Sequence, residues 1–155
     1  MKRSETTPFT VQEASGADAP AILALADVHR DELGAMMQHR AWLIRQIDMG
    51  EVFVAKTAED KLVGFISFHH NPLPEHEDTT IHYLCTASDY RRQGIGKLLM
   101  EAVATDARLC GKRTITLRCP RHLRANHFYK SIGYTLEMSE TDQEDGHLNV
   151  WALCL

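Results

Sequence analysis

The stretch Ala87-Ser88-Asp89-Tyr90-Arg91-Arg92-Gln93-Gly94-Ile95-Gly96-Lys97 holds the residues best suited to chemistry. Two glycines one residue apart let the backbone turn sharply with no Cβ in the way. An amphipathic helix is predicted directly after the turn, so its free N–H groups converge on one point. Such a point attracts an anion through hydrogen bonds and the helix dipole. Arg91, Arg92 and Lys97 add positive charge there. The implied chemistry is the holding of a phosphate or pyrophosphate. Two other phosphate fingerprints do not fit. A dinucleotide fold needs G-x-G-x-x-G, and Leu99 stands where the third glycine belongs. A Walker loop needs a hydroxyl after its Gly-Lys, and Leu98 occupies that position.

Other groups are weighed beside it. Arg118, Arg121 and Arg124 form a second basic group, read either as a solvated face or as help for a small polyanion. His69, His70, His76 and His82 raise the question of a metal. Adjacent His69 and His70 point to opposite faces of a strand, and neither H-E-x-x-H nor H-x-H occurs, so no metal is expected. Cys85, Cys110, Cys119 and Cys154 are scattered without a C-x-x-C pair and read as small buried apolar residues.

The elements that position these residues follow from periodicity. Phe9 to Ala14 reads as a strand, and Ser15-x-x-Asp18 resembles a capping box. Ile22, Leu23, Leu25 and Ala26 predict a helix to about Arg30; Ala41, Trp42, Ile44 and Ile47 predict a second, stopped by Gly50. Strands follow at 52–56, 62–68 and 80–86. A loop rich in proline, histidine and acid (Pro72 to Asp78) precedes the last of these. Ile95, Leu98, Leu99, Ala102, Val103 and Leu109 mark one face of a helix ended by Gly111. A strand at 114–119, a short helix carrying Leu123, Phe128, Tyr129 and Ile132, and strands at 134–139 and 147–155 complete the chain. The order is a mixed α+β layout with one mostly antiparallel sheet.

The chain has 155 residues, which suits a single domain over 1–155. Apolar residues at 44% and charged residues at 25% are ordinary for a globular protein. A net charge of −4 speaks against a general nucleic-acid binder. No apolar run suits a membrane span, and Met1 to Pro8 has charge without the apolar stretch of a secretion signal. A cytoplasmic protein is expected.

Arg91-x-x-Gly94-x-Gly96, after a strand and before a helix, resembles the coenzyme A signature [QR]-x-x-G-x-[GA] of the GCN5-related N-acetyltransferases (GNAT). Ala125 to Tyr134 resembles that family's later A-x-x-F-Y-x-x-x-G-[FY] segment. His122 stands where the family often has Asn, which departs from the pattern of contacts to the coenzyme arm.

The resemblance implies a sheet of about seven strands, splayed in the middle and flanked by about four helices. It implies acetyl-coenzyme A as co-substrate. The coenzyme arm would bond to the backbone of Leu84 and Thr86, and the pyrophosphate would sit on Arg92, Gln93, Gly94, Ile95, Gly96 and Lys97. The Leu84 N–H would polarise the thioester carbonyl. Tyr129 would be the acid for the leaving thiolate, close to the coenzyme sulfur. His82 would be the base, on the same strand face as Leu84. Packing roles for Tyr129 and His82 are the alternatives. Met36, Met37, Trp42 and the Pro72–Asp78 loop are expected beside the pocket of a small-molecule or peptide amine acceptor. The rival functions are a non-catalytic coenzyme A-binding sensor and a nucleotide-binding regulator; the acidic charge and broken fingerprints speak against the second. A homodimer is expected through His147 to Leu155, which carries Val150, Trp151, Leu153 and Leu155.

Overall fold

The computed structural model describes residues 8–33, 40–142 and 146–155. Its elements, in chain order, are β1 (Phe9–Glu13), α1 (Ala19–Val28), α2 (Arg30–Leu33), α3 (Arg40–Asp48), β2 (Val52–Thr57), β3 (Leu62–His70), β4 (Asp78–Thr86), α4 (Ile95–Leu109), β5 (Thr114–Pro120), α5 (Ala125–Ser131), β6 (Thr135–Asp142) and β7 (Gly146–Cys154). The strands form one open seven-stranded sheet in the order β1-β2-β3-β4-β5-β7-β6. The pairs β1–β2, β5–β7 and β6–β7 are antiparallel, whereas β4–β5 is parallel. The sheet is therefore mixed, as expected. The β4–β5 ladder runs from Asp78↔Thr114 to Ile81↔Leu117. Both strands continue past it, β4 to Thr86 and β5 to Pro120.

Two compact units can be described separately. The first comprises Met1–Ile66 and Leu84–Leu99. Its core is aliphatic: Ile22, Leu43, Val52, Val54, Val63, Ile95 and Leu99 are all buried, joined by Phe65. Gly64 makes one close approach possible. A Cβ there would meet Ile95 Cγ2 at 2.9 Å and the Cys85 carbonyl oxygen at 3.1 Å, so only a bare backbone lets β3 lie against the start of α4. Asp18 anchors the turn before α1. Its carboxylate accepts from the Ser15 N–H at 2.9 Å and pairs with Lys56 at 2.9 Å.

The second unit comprises Ser67–Tyr83 and Met100–Leu155. Phe68, Val103, Ala107, Ile115, Leu117 and Trp151 form its core. Leu109 departs from its expected place: it is 82% exposed. Six residues beyond Val103 it has rotated off the buried stripe, and Ala107 continues that stripe instead. β7 also departs from the expected dimer strand. It is paired with β5 on one side and β6 on the other, and Val150 and Trp151 are buried, so it offers no free edge. Met36 and Met37 lie outside the described residues.

Candidate active site

The anion loop begins where β4 ends. The Ala87 N–H donates to the Val63 carbonyl at 2.8 Å, and a short turn at Ser88–Tyr90 follows. Tyr90 pins that turn: its ring meets Phe9 edge-on at 6.1 Å, and the Lys61 ammonium lies 5.2 Å from its centroid. The backbone then turns through two left-handed residues, Arg92 at φ +64° and Gly94 at φ +84°. Left-handed backbone is costly for Arg92 and natural for Gly94. Gly96, expected at the turn, instead lies in the first turn of α4. The motif's two glycines thus divide the work, one turning the chain and one keeping the helix start bare.

The Leu98 N–H donates to the Gly94 carbonyl at 3.0 Å, which makes Gly94 the cap of α4. Among the described residues, none of the N–H groups from Arg92 to Lys97 donates a hydrogen bond within the protein. A 15-residue helix stands behind them with its dipole aligned on the same point. The side chains of Arg92 and Lys97 are exposed and have no ion-pair partner among the described residues. Arg91 differs. Its Nη2 lies 3.3 Å from His29 Nδ1 and 3.4 Å from the Glu32 carboxylate, so its charge is turned toward α1 and α2.

In β4, Thr79, Ile81 and Cys85 are buried, while Thr80, His82, Leu84 and Thr86 form the more open face. His82 is exposed, not partly buried as its packing alternative has it. Burial pushes the Cys85 thiol up to about 12, with the Glu32 carboxylate adding to it. Burial likewise pushes Cys119 up to about 11. Both thiols stay protonated and are poor nucleophiles. Cys110 and Cys154 are exposed, against the expectation of buried small residues.

Tyr129 lies in α5, buried at 8% exposure, with its ring 5.4 Å from Phe128 and 6.2 Å from Tyr134. Burial holds its hydroxyl well above the ordinary tyrosine pKa, with Cys119 and Tyr134 adding to the effect. The hydroxyl therefore keeps its proton at any physiological pH. α5 is framed by a residue that no motif flagged. Asn126 Nδ2 donates to the carbonyls of Pro120, Arg121 and Leu123 at 2.9, 3.2 and 2.8 Å. Its Oδ1 accepts from Trp151 Nε1 at 2.9 Å and Asn149 Nδ2 at 3.1 Å. A lone Asn inside a motif gives no sign of this, because its partners on β7 lie more than twenty positions away. His122 is exposed. Arg118 bonds Glu140, and Arg121 bonds Ser139 at 3.4 Å, so both are engaged with β6; Arg124 is exposed.

Comparison with known proteins bears on this arrangement. The acetyltransferase (GNAT) family model matches residues 22–134, and the chain belongs to that family. No curated protein matches it in sequence. It is similar in structure to Ard1 from Thermoplasma volcanium, with a TM-score of 0.81 at 19% identity over 96% of this chain and 98% of that one. The ribosomal-protein-S18-alanine N-acetyltransferase of Escherichia coli gives a TM-score of 0.72 at 18% identity, covering 94% and 93%. N-acetylglutamate synthase from Neisseria gonorrhoeae, complexed with coenzyme A and N-acetyl-glutamate, gives 0.79 at 16% identity, covering 95% of this chain and 35% of that one.

Proposed function

We propose that this chain is an N-acetyltransferase, one domain over residues 1–155, that moves the acetyl group of acetyl-coenzyme A to a primary amine by direct attack in a ternary complex. The observation that carries the reading is the row of unpartnered N–H groups from Arg92 to Lys97 at the start of α4. Six donors without a partner among the described residues, beside two cations without an ion pair there, fit a pyrophosphate. The Leu84 and Thr86 backbone holds the coenzyme arm, and His122 flanks it where the family often has Asn.

His82 accepts a proton from the ammonium form of the acceptor. The free amine attacks the thioester carbon, whose oxygen is polarised by the Leu84 N–H. The C–S bond then breaks, Tyr129 gives its proton to the leaving thiolate, and the nitrogen proton lost as the amide forms restores the Tyr129 hydroxyl. The raised pKa values of Cys85 and Cys119 support direct attack over an acetyl-cysteine intermediate. Half-buried Trp42 and the Pro72–Asp78 loop flank the acceptor, a small molecule or a peptide. The transfer itself needs no metal, nucleic acid or membrane, and no described helix is long and apolar enough to cross a membrane. The setting is the cytoplasm.

The test is a melting-temperature series followed by an acceptor screen. Coenzyme A raises the melting temperature by linkage, and NAD and ATP raise it far less. Amines are then screened by release of free thiol from acetyl-coenzyme A. Equal stabilisation by ATP would defeat the coenzyme assignment. Coenzyme binding with no thiol release from any amine would leave the non-catalytic sensor.

A further inference from the structure

At its other end, α4 takes part in a cluster that acetyl transfer does not use. Asp106 lies in its last turn and Cys110 just beyond it, four residues apart and hence on one face. His70 closes β3 beside them. One ligand atom from each of His70, Asp106 and Cys110 lies within 4.8 Å of the others. His70 Nε2 is 2.7 Å from Asp106 Oδ2, and its Nδ1 is 2.6 Å from the hydroxyl of Thr79, which is fully buried. We propose that His70, Asp106 and Cys110 bind a divalent transition-metal ion of the zinc class.

Four features carry this inference. The donor set is one nitrogen, one carboxylate oxygen and one sulfur, which selects zinc-like ions over magnesium or calcium, whose ligands are oxygens. Metal–ligand bonds of about 2.0–2.3 Å place tetrahedral ligand atoms roughly 3.3–3.8 Å apart, so small side-chain adjustments suffice. The Asp106 carboxylate and a Cys110 thiolate together balance the charge of a divalent ion. The Lys112 ammonium is directed elsewhere, donating to the carbonyls of Asn71 and His76.

The fourth feature is Thr79. Without metal, the tautomer with hydrogen on Nε2 donates a hydrogen bond to Asp106, and Nδ1 accepts one from the Thr79 hydroxyl. With metal on Nε2, the ring carries its proton on Nδ1 and the same hydroxyl turns to accept it. A hydroxyl serves both states because it donates and accepts equally well. A hydrogen-bonded second nitrogen is also the usual support of a metal-bound histidine. The net exchange is metal in and the Cys110 thiol proton out. Three protein ligands leave a fourth position to water.

The experiment uses the whole chain without coenzyme. Cobalt is titrated and followed by its thiolate charge-transfer band in the near ultraviolet, and zinc affinity is measured against a chromophoric chelator. One ion per chain is expected, with the band present. Cys110→Ser removes the band and weakens zinc at least tenfold; Asp106→Asn weakens it similarly. Thr79→Val weakens it by roughly 10–100-fold, the usual range for a group supporting a ligand. Both ligand variants change side chains at or near the surface, and their melting temperatures confirm folding. Absence of the band in the parent at saturating cobalt would overturn the site. So would zinc held as tightly by Cys110→Ser and Asp106→Asn as by the parent.

Discussion

The loop from Ser88 to Lys97 and the segment from Arg118 to Tyr134 are built on opposite principles. In the loop, the atoms proposed to hold the anion belong to the backbone and are left without partners among the described residues; Tyr90, held by Phe9 and Lys61, fixes the turn. In the segment, Asn126 gathers five hydrogen bonds, and the atom proposed to act is the side-chain oxygen of a buried Tyr129. A region that must receive an anion keeps its donors unspent. A region read as aiming one hydroxyl ties down the helix that carries it.

The largest expected effect tests the aimed hydroxyl. Tyr129→Phe keeps the ring and the packing but removes the proton donor. Turnover is expected to fall by about 10²–10⁴-fold, while acetyl-coenzyme A affinity barely changes. Turnover at the parental rate would make Tyr129 a packing residue. Next comes the unspent backbone. Gly94 has φ +84°, and a Cβ there meets nothing within 4 Å, so Gly94→Val acts through backbone strain alone. Left-handed backbone costs an ordinary residue roughly 1–2 kcal/mol, and escape from it turns the N–H row away. Calorimetry should show coenzyme A affinity down by about tenfold or more, since each 1.4 kcal/mol is a factor of ten. Unchanged affinity in a folded variant removes the backbone from the account.

Asn126→Ala tests saturation. It strands the buried Trp151 N–H, an orphan that costs about 1–3 kcal/mol, while the carbonyls of Pro120 and Leu123 keep backbone donors. A lowered urea midpoint is expected, and an unmoved midpoint would show that the network is dispensable. The smallest effect is at Tyr134, whose hydroxyl is buried without a partner. Tyr134→Phe should be neutral or stabilising by less than about 1 kcal/mol, because no hydrogen bond is lost. Burial also raises the Tyr134 pKa, so the fold prefers the protonated form. The associated stability is complete below about pH 10, the ordinary tyrosine value, and is lost as pH rises past it toward the folded value. Denaturation curves above pH 10 should show a shallower decline in the variant.

What the sequence reveals follows the same division. The loop is legible because its chemistry is local: a strand, a glycine at a fixed offset and an apolar stripe from Ile95 to Ala107 lie within a few turns of chain. The coenzyme reading needs little more. The direction of Arg91 is not legible, since it depends on His29 and Glu32 some sixty positions earlier. Neither is Asn126, whose role rests on Trp151 and Asn149, nor the cluster of His70, Asp106 and Cys110, of which only the helical pair is visible in the chain. Searching for histidines near one another could not find a single histidine meeting a carboxylate from another element. The inner place of β7 is not legible either, because a strand carrying Val150, Trp151, Leu153 and Leu155 looks alike at an edge and beside it. β6, the last strand of the open sheet, takes the edge beside it.

The four thiols give the chain an internal gauge of its own integrity. Two are buried, at Cys85 and Cys119, and two are exposed, at Cys110 and Cys154. An alkylating reagent meets thiolate only where water reaches the sulfur. Native molecules should therefore take up label in a fast phase at the outer pair alone. The inner pair should react only as fast as the surrounding structure opens. Because Cys85 sits in the strand that leads into the loop and Cys119 in the strand that leads to α5, separate labelling of the two would time the opening of each region independently, with no probe added to either.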